Sequence, residues 1–347
     1  MKACVLHAVN DLRYEETKTP VPQEDEVLLK VRAAGICGSD VPRVFEKGTY
    51  HFPTIPGHEF SGEIVSVPEG GDSSLIGKRA AVFPLIPCME CAPCSAGLYA
   101  QCKNYNYYGS RCDGGFAEYI AVKKKNLVFI PDNVSYEEAA MCEPTAVAIH
   151  AVTRARVGYG DVVTIFGAGT IGLLLAKITA AYGASKVILF DVMEEKLEFA
   201  RKLGFTYCYN NAKCDVKDIV AGLTNQKGSN VTIEGTGVSA ALENCIQVTG
   251  VSGQIVLMGN PIKEMKLLQD NYWGILRKQL TLRGTWNSDF NGMKNDWQTA
   301  VQAMPKLKLK ELISHKFHFS ECRKAFQTMK SKDEFSVKII FINESEE

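Results

Sequence analysis

The chain has 347 residues, of which 46% are hydrophobic and 22% are charged, a composition typical of a folded globular protein. Its length exceeds the size at which a single hydrophobic core usually stops growing, which favours two domains. The 39 Lys and Arg residues equal the 39 Asp and Glu residues, so no global charge attracts nucleic acid or an anionic membrane. This balance still allows a local basic pocket for an anionic substrate.

The chain shows neither an export signal nor a membrane segment. The first residues alternate and then turn polar, without the apolar run of a signal peptide. No stretch reaches the roughly 18 apolar residues of a membrane helix. We therefore expect a cytoplasmic protein with no membrane partner. In such a protein thiols stay reduced, so the twelve cysteines indicate metal binding where they cluster.

Residues 1–150 contain short β-like runs separated by Gly and Pro. This pattern predicts an irregular β domain or barrel. The predicted strands are Val27–Val31, Phe60–Val67, Arg79–Phe83 and Phe116–Val122. From Glu137 onwards helix formers predominate, and the segment EEAAMCEPTAVAIHAVTRA predicts a helix.

Residues 151–287 alternate between strands and helices, the pattern of a parallel, doubly wound sheet. The predicted strands are Val162–Phe166, Lys186–Phe190, Thr206–Tyr209, Val231–Glu234 and Gln254–Met258. The predicted helices are Ile171–Tyr182, Glu194–Leu203 and Ala240–Val248. Residues 288–347 predict two helices (Asn295–Met304 and Ser320–Lys330) and one strand (Ser336–Ile342), which we interpret as a return to the first domain.

A glycine-rich loop joins a predicted strand to a predicted helix. It has the pattern GxGxxG and consists of Gly167, Ala168, Gly169, Thr170, Ile171 and Gly172. The first glycine permits a tight turn, the second lets backbone amides approach a pyrophosphate, and the third lets the helix pack on the strand. The helix N-terminus adds unpaired N–H groups and partial positive charge.

A GxGxxG motif alone can also be a structural turn, but here an acid follows a second strand. Asp191 lies 19 residues beyond Gly172. A carboxylate at that distance accepts hydrogen bonds from the adenosine ribose hydroxyls and repels a 2′-phosphate. Because Val192 rather than an arginine follows it, the sequence favours NAD over NADP.

Four cysteines share one short loop with the spacing C-x2-C-x2-C-x7-C. They are Cys88, Cys91, Cys94 and Cys102. Four thiolates suit a closed tetrahedral zinc site with a structural role. An iron–sulfur cluster also takes four cysteines, although its usual spacing has a different last interval. Free thiols that cluster by chance are the remaining alternative.

A second set of metal-binding residue types is dispersed along the chain. Cys37, His58 and Glu143 would supply three protein ligands and leave a fourth position for water or substrate, as a catalytic zinc requires. Each residue also has an ordinary structural interpretation: a buried thiol, a core histidine and a helix N-terminal acid. Spacing alone cannot bring the three together.

Several motifs together resemble the zinc-containing medium-chain dehydrogenases/reductases. GHEFSGEI, the four-cysteine loop, DGGFAEYI and GAGTIG occur in that family's order, and the resemblance covers essentially the whole chain. It implies an α/β protein with a chaperonin-10-like irregular β-barrel catalytic domain, built from both chain ends, and a Rossmann domain between them. It also implies two zinc ions per chain, NAD and a homodimer or homotetramer.

The resemblance implies roles for individual residues. Cys37, His58 and Glu143 occupy the positions of the catalytic zinc ligands, and the acid at 143 is typical of the polyol branch. Glu59 matches an acid that hydrogen-bonds near the metal and sometimes ligates it. Ser39 matches the hydroxyl that receives the substrate proton. In the nucleotide site, Lys196 matches a second ribose contact.

One position departs from the pattern of many relatives, which carry a histidine where this chain has Pro42. Proline cannot pass a proton onward, so the usual relay is in doubt. The run CGSDVPRVF instead resembles members that act on a phosphorylated polyol. Candidate phosphate contacts are therefore Arg43, His51 and Arg111, each of which can equally be a solvated surface residue. A free polyol as substrate, and a non-catalytic NAD-binding redox sensor, remain the alternatives.

Overall fold

The computed structural model describes residues 1–261, 263–293, 295–331 and 334–343. Backbone contacts divide the chain into two compact units, Met1–Ala146 with Asp289–Glu347, and Val147–Ser288. The sequence places these divisions at 150/151 and 287/288. Within the described residues, no helix combines the length and the apolar character needed to cross a bilayer.

The strands are short except for one central strand of the first unit. In chain order they are β1 Lys2–Ala8, β2 Asp11–Glu16, β3 Glu26–Ile36, β4 Glu59–Ser66, β5 Arg79–Val82, β6 Leu85–Ile86, β7 Asn106–Tyr107, β8 Tyr119–Lys123, β9 Leu127–Phe129, β10 Val162–Phe166, β11 Lys186–Asp191, β12 Tyr207–Asn210, β13 Ser229–Glu234, β14 Thr249–Leu257, β15 Thr281–Gly284, β16 Ile313–His318 and β17 Lys338–Ile342.

The longer helices accompany the strands of the second unit and the C-terminal part of the first. In chain order the helices are α1 Asp40–Pro42, α2 Ala92–Ser95, α3 Tyr136–Ala140, α4 Cys142–Arg154, α5 Thr170–Ala181, α6 Glu194–Lys202, α7 Val216–Leu223, α8 Ser239–Val248, α9 Gln269–Lys278, α10 Asp296–Leu307 and α11 Cys322–Lys330.

The first unit is built on a sheet with the order β16-β17-β3-β4-β5-β9, in which β8 also pairs with β3. Its C-terminal strand β17 pairs antiparallel with β3, so both ends of the chain contribute to one sheet. The ring of Phe116 lies 5.0 Å from that of Phe341 and 6.0 Å from that of Phe326. Each of these fully buried rings stabilises the fold by about 1.5–3 kcal/mol.

The second unit contains a parallel sheet with the order β12-β11-β10-β13-β14-β15. The order reverses between β10 and β13, which is the topology of the Rossmann fold. In such sheets ligands bind beyond the carboxyl ends of the strands at the point of reversal. The predicted doubly wound α/β architecture is confirmed.

The helix predicted over residues 137–155 is wrong as a single element, because it divides at Met141 into α3 and α4. Pro144 explains the break: proline lacks an N–H group and is tolerated in the first turn of a helix but not in its interior. A new helix therefore starts at Cys142 and carries Glu143 in its first turn.

Other elements differ from the prediction for local reasons. The strand predicted from Phe116 begins at Tyr119, because Phe116 bonds to the backbone of Cys4 instead. The predicted C-terminal strand begins two positions later, at Lys338. Eleven of the elements described above had no counterpart in the prediction: the strands β1, β2, β6, β7, β9, β15 and β16 and the helices α1, α2, α7 and α9. The residues of β15 are largely exposed, so they lack the apolar run that indicates a buried strand.

Candidate metal centres and cofactor site

The four-cysteine loop brings its sulfur atoms to metal-binding separations. Sγ–Sγ distances are 3.4 Å for Cys102–Cys88, 3.5 Å for Cys91–Cys94, 3.8 Å for Cys91–Cys102 and 4.0 Å for Cys88–Cys94. A tetrahedral zinc ion with bonds of about 2.3 Å holds its sulfur ligands about 3.8 Å apart. All four cysteines are free of disulfides, so the loop fits a closed zinc site.

Backbone amides prepare two of these thiols for metal binding. Amides of Lys103 and Cys94 lower the pKa of Cys91 to about 6, and amides near Cys88 lower its pKa as well. Burial acts oppositely on Cys94 and raises its pKa to about 12. Because a metal binds the thiolate form, the loop offers both ready thiolates and a buried thiol that a cation would deprotonate.

The residues of the dispersed set lie at the ends of two strands and at the start of one helix. Cys37 directly follows β3, His58 directly precedes β4 and Glu143 lies at the start of α4. Potential ligand atoms of Cys37, His58 and Glu59 all lie within 4.8 Å of one another. Glu143 is outside that tight group but is buried near it. Burial raises the pKa of Glu143 to about 7, while His58 lowers and Glu59 raises it.

A fully buried carboxylate, Asp40, joins two of the ligand segments. Its Oδ2 accepts a hydrogen bond from the Cys37 amide (3.1 Å), and its Oδ1 lies 3.3 Å from His58 Nδ1. Arg43 donates to Oδ1 across 2.6 Å. Burial alone raises the pKa of Asp40, but His58 and Arg43 stabilise the carboxylate and bring it to about 2. Since Nδ1 of His58 faces this acid, Nε2 is the nitrogen left for a metal.

Glu59 forms a second buried contact, an ion pair with Lys338 of β17. The ammonium group also donates to the Ile36 carbonyl across 3.0 Å. Both side chains flank Gly35 of β3, where a Cβ atom would stand 2.5 Å from Glu59 Oε2 and 2.8 Å from Lys338 Nζ. Glycine at position 35 therefore leaves the space in which the ion pair lies.

The charges around the dispersed set fit a divalent cation. With Cys37 and Glu143 ionised and His58 neutral, the forms in which these residues bind a metal, four negative groups face two positive ones: Cys37, Asp40, Glu59 and Glu143 against Lys338 and Arg43. Two negative charges then remain in a buried region, where uncompensated charge is costly. A dication neutralises them, and one thiolate, one imidazole and a carboxylate are ligands that zinc accepts.

Two further side chains border the ligand set. The Ser39 hydroxyl donates to Cys37 Sγ across 3.3 Å, which places it beside the candidate metal position. The ring of Tyr107 lies 5.8 Å from the His58 ring, and burial raises the pKa of Tyr107 well above its usual value, with Glu143 and Cys37 adding to the effect.

The three candidate phosphate contacts lie in different environments. Arg43 is bound to Asp40, as described above. His51 uses its ring locally: Nε2 lies 3.2 Å from the Arg111 carbonyl oxygen, and Nδ1 lies 3.1 Å from both the Pro53 carbonyl oxygen and Thr54 Oγ1. Arg111 stacks its guanidinium group on two tyrosine rings.

The glycine-rich loop follows β10 in the second unit. Gly167 has φ +103°, and a Cβ on Gly172 would stand 1.8 Å from the Gly167 carbonyl oxygen, so both positions require glycine. A Cβ on Gly169 would meet nothing within 4 Å, which leaves open space where a phosphate would approach. Thr170 and Ile171 begin α5, whose N-terminus faces this space.

Asp191 ends β11 beside this loop. Its carboxylate accepts hydrogen bonds from the amides of Ala168 (2.8 Å) and Met193 (2.9 Å), which holds it next to the turn. Val192 is exposed, and Lys196 lies in the first turns of α6. The loop, the helix N-terminus and the acid thus have the arrangement expected for a dinucleotide.

Sequence reasoning missed Asp40, Lys338 and Tyr107 as neighbours of the ligand set. One signal was present for Lys338, a lone cation in the otherwise apolar strand KIIFI, which a buried partner must neutralise. Asp40 and Tyr107 carried no comparable signal, because the contacts of both residues with His58 join separate segments of the chain.

Comparison with known proteins identifies both units. The family model described as "Alcohol dehydrogenase GroES-like domain" matches residues 23–132, and "Zinc-binding dehydrogenase" matches residues 170–306. Galactitol 1-phosphate 5-dehydrogenase of Escherichia coli strain K12 is 36% identical over 331 residues, 94% of this chain and 95% of that protein. Sorbitol dehydrogenase of Bacillus subtilis strain 168 is 36% identical over 75% of each chain.

Solved structures give the same result. The crystal structure of galactitol-1-phosphate dehydrogenase from Escherichia coli superimposes with a TM-score of 0.92 at 34% identity, covering 99% of this chain and 100% of that chain. The RspB dehydrogenase of E. coli CFT073, complexed with NADH, gives 0.89 at 30% identity over 99% of each chain. The expected GroES-like (chaperonin-10-like) and Rossmann domains are confirmed.

Proposed function

The chain belongs to the zinc-containing medium-chain dehydrogenase/reductase family, and on that basis we propose that it oxidises a secondary hydroxyl of a polyol phosphate with NAD as the acceptor. The leading substrate is galactitol 1-phosphate, with tagatose 6-phosphate as the product. The observation that carries the chemistry is the buried set of Cys37, His58 and acidic side chains, with a hydroxyl beside it.

In this proposal Cys37, His58 and Glu143 hold the catalytic zinc ion. Zinc bound there supplies a Lewis acid, which lowers the pKa of a coordinated hydroxyl. Asp40 orients the His58 ring through Nδ1, and Lys338 holds Glu59 at the edge of the ligand set. Cys88, Cys91, Cys94 and Cys102 hold a second zinc ion, whose role is structural.

Ser39 accepts the proton of the substrate hydroxyl. Its own hydroxyl already lies 3.3 Å from Cys37 Sγ, so a substrate oxygen bound next to the ligand set falls within its reach. Pro42 offers no group to pass the proton onward, and water is the acceptor that we propose in its place.

NAD is the proposed cofactor. Gly167, Gly169 and Gly172 shape the pyrophosphate site, and the amides of Thr170 and Ile171 begin the helix that faces it. Asp191 and Lys196 contact the adenosine ribose. An NADP 2′-phosphate would meet the carboxylate of Asp191 without an adjacent arginine, so we expect a preference for NAD of about ten- to a thousandfold.

A polyol phosphate is favoured over a free polyol by the similarity to galactitol 1-phosphate 5-dehydrogenase across nearly the whole chain. Arg43, His51 and Arg111 are the proposed contacts for the phosphate group. The second candidate is a free-polyol dehydrogenase of the L-iditol or sorbitol type, which the similarity to sorbitol dehydrogenase favours.

The test measures NADH formation by the zinc-loaded protein with galactitol 1-phosphate, galactitol, sorbitol and L-threonine under identical conditions. We expect the highest kcat/KM for the phosphate. A free polyol that equals or exceeds it would replace the proposal with the second candidate. NAD binding without turnover of any alcohol would identify a non-catalytic redox sensor instead.

A further inference from the structure

We propose that Arg111, held between Tyr50 and Tyr105, forms the subsite that binds the phosphate monoester of the substrate. This inference rests on the proposed function and narrows its three phosphate contacts to one. The guanidinium carbon lies 4.1 Å from the centre of the Tyr50 ring and 4.4 Å from that of Tyr105. The two rings fix the plane of the guanidinium group and leave its edge to bind a ligand.

Arg111 has no acidic partner among the residues that the structure describes. In the part of the chain that the structure describes, no carboxylate lies within ion-pair distance of it, its Nε is buried without a hydrogen bond, and an Nη donates only to the Tyr50 hydroxyl (3.2 Å). Arg43 differs, because the buried carboxylate of Asp40 already binds it. An arginine that no carboxylate binds can turn the N–H groups of its two Nη atoms to two oxygens of one phosphate, which is a geometry that Arg supplies well.

The backbone that carries Arg111 is fixed to the catalytic ligand segment. The Tyr107 carbonyl accepts hydrogen bonds from the amides of Arg111 (2.9 Å) and Cys112 (3.2 Å), which closes a tight turn. Within that turn a Cβ on Gly109 would stand 2.5 Å from the carbonyl oxygen of Gly57, the residue before His58. This close backbone contact sets the position of Arg111 relative to the zinc ligand.

A series of contacts between aromatic side chains connects the ligand set with the proposed subsite. The ring of His58 lies 5.8 Å from Tyr107, and Tyr107 lies 6.2 Å from Tyr105, on which Arg111 stacks. These contacts place Arg111 on the same series of packed rings as the ligand set.

His51 has a supporting role in this arrangement. Its Nε2 lies within hydrogen-bond distance of the Arg111 carbonyl, and its Nδ1 within that distance of the Pro53 carbonyl and the Thr54 hydroxyl, so both nitrogens have partners other than a phosphate. The imidazole instead fixes the backbone from which the guanidinium group projects. Of the two arginines in the proposed function, Arg43 is bound to a buried carboxylate, whereas the printed donor contact of Arg111 is to the Tyr50 hydroxyl.

The experiment measures the phosphate preference, defined as kcat/KM for galactitol 1-phosphate divided by kcat/KM for galactitol on the same preparation. This ratio is independent of the active fraction, so a partly folded variant still gives a valid result. Arg111→Gln should lower the preference about ten- to a hundredfold, the value of one charged hydrogen-bonding contact. Arg111→Lys keeps the charge but loses the bidentate geometry. Its phosphate preference should therefore lie between those of the wild type and Arg111→Gln.

Two other arginines serve as controls. Arg79 also stacks on a tyrosine ring, 4.4 Å from Tyr136, but donates to backbone carbonyls, so Arg79→Gln should leave the preference unchanged. Arg43→Gln should also leave it unchanged, whatever its effect on turnover. Inorganic phosphate should inhibit the wild type competitively and inhibit Arg111→Gln at least about tenfold more weakly.

The possible failures are distinguishable. If the wild type shows no preference for the phosphate, the proposed substrate class is wrong and the subsite with it. If the wild type prefers the phosphate and Arg111→Gln retains that preference, the substrate class stands and the subsite is wrong. A loss of preference in Arg43→Gln alone would assign the phosphate to Arg43 instead.

Discussion

The two cysteine-containing ligand sets of this chain are held by different means. In the four-cysteine loop, all ligands come from one segment and their sulfur atoms stand 3.4 to 4.0 Å apart. In the dispersed set, Cys37, His58 and Glu143 come from three segments, and buried ion pairs fix the side chains around them. A set of four ligands can close around an ion, whereas a set of three leaves a position for a substrate.

The difference between a closed and an open ligand set predicts two roles for zinc, one in stability and one in turnover. A closed set of four thiolates contributes to the stability of its loop, because the unfolded chain offers no preformed site. The dispersed set depends on the sheet of the first unit, because Cys37 and His58 lie at the ends of its strands β3 and β4. Variants of the two sets should therefore give opposite results for stability and for turnover.

The largest expected effect on turnover comes from Glu143→Ala. Removal of this ligand should abolish measurable oxidation of the substrate and lower the zinc content from two ions to one per chain, while the unfolding temperature changes little. Glu137→Ala, which removes a half-buried acid of the preceding helix α3 that pairs with Lys310 and Lys316 and not with the ligand set, is the control. Zinc analysis and steady-state kinetics measure both outcomes. Full activity in Glu143→Ala would remove Glu143 from the catalytic site.

Cys94→Ser should give the opposite result. The buried thiol belongs to the closed set, and its loss should lower the free energy of unfolding by several kcal/mol and reduce the yield of folded protein. Cys214→Ser, which changes a partly buried cysteine outside both sets, should have little effect. Chemical denaturation of both variants tests this. Equal stability of the two would show that the closed set has no structural role.

Gly35→Ala tests the support of the dispersed set. The added Cβ would stand 2.5 Å from Glu59 Oε2 and displace the buried ion pair with Lys338, which cannot move into solvent. We expect a loss of about 1–3 kcal/mol in the free energy of unfolding. At Gly38 a Cβ would meet nothing within 4 Å, so Gly38→Ala is the matched control. If both variants unfold at the same denaturant concentration, the space at Gly35 is not what holds the pair.

The smallest expected effect concerns Arg43, which acts on the dispersed set through Asp40. Arg43→Gln should weaken zinc binding at that set about tenfold, because the carboxylate that orients His58 loses its cationic partner. Arg13 binds Asp11 at the same 2.6 Å distance on the surface, so Arg13→Gln should leave zinc affinity unchanged. Competition with a chromogenic chelator measures both. An unchanged affinity in Arg43→Gln would limit Arg43 to a packing role.

The sequence predicts local patterns well and distant contacts poorly. The four-cysteine loop and the loop from Gly167 to Gly172 are short segments, so their spacing alone indicates their chemistry. The dispersed ligands emerged only through resemblance to a family, because Cys37 and Glu143 lie far apart in the chain. The ion pair between Glu59 and Lys338 joins residues 279 positions apart, and no local pattern specifies it.

Secondary structure follows the same rule. Strands β10 and β11 and helices α5 and α6 were predicted to within two residues, since each has a buried apolar run between clear end signals. The edge strand β15 was missed because its residues are mostly exposed and its pairing with β14 depends on the sheet rather than on its own sequence. The neighbouring strand of the sheet, and not the residues of β15 themselves, determines that β15 is a strand.

Stepwise removal of zinc tests most directly whether one ligand set is catalytic and the other structural. Zinc content, turnover and unfolding temperature are measured on one preparation as a chelator is added. We predict two phases: the open set loses its zinc first, with all turnover and little change in unfolding temperature, and the closed set loses its zinc later, together with the fold. A single phase in which turnover and stability fall together would contradict the division into a catalytic and a structural site.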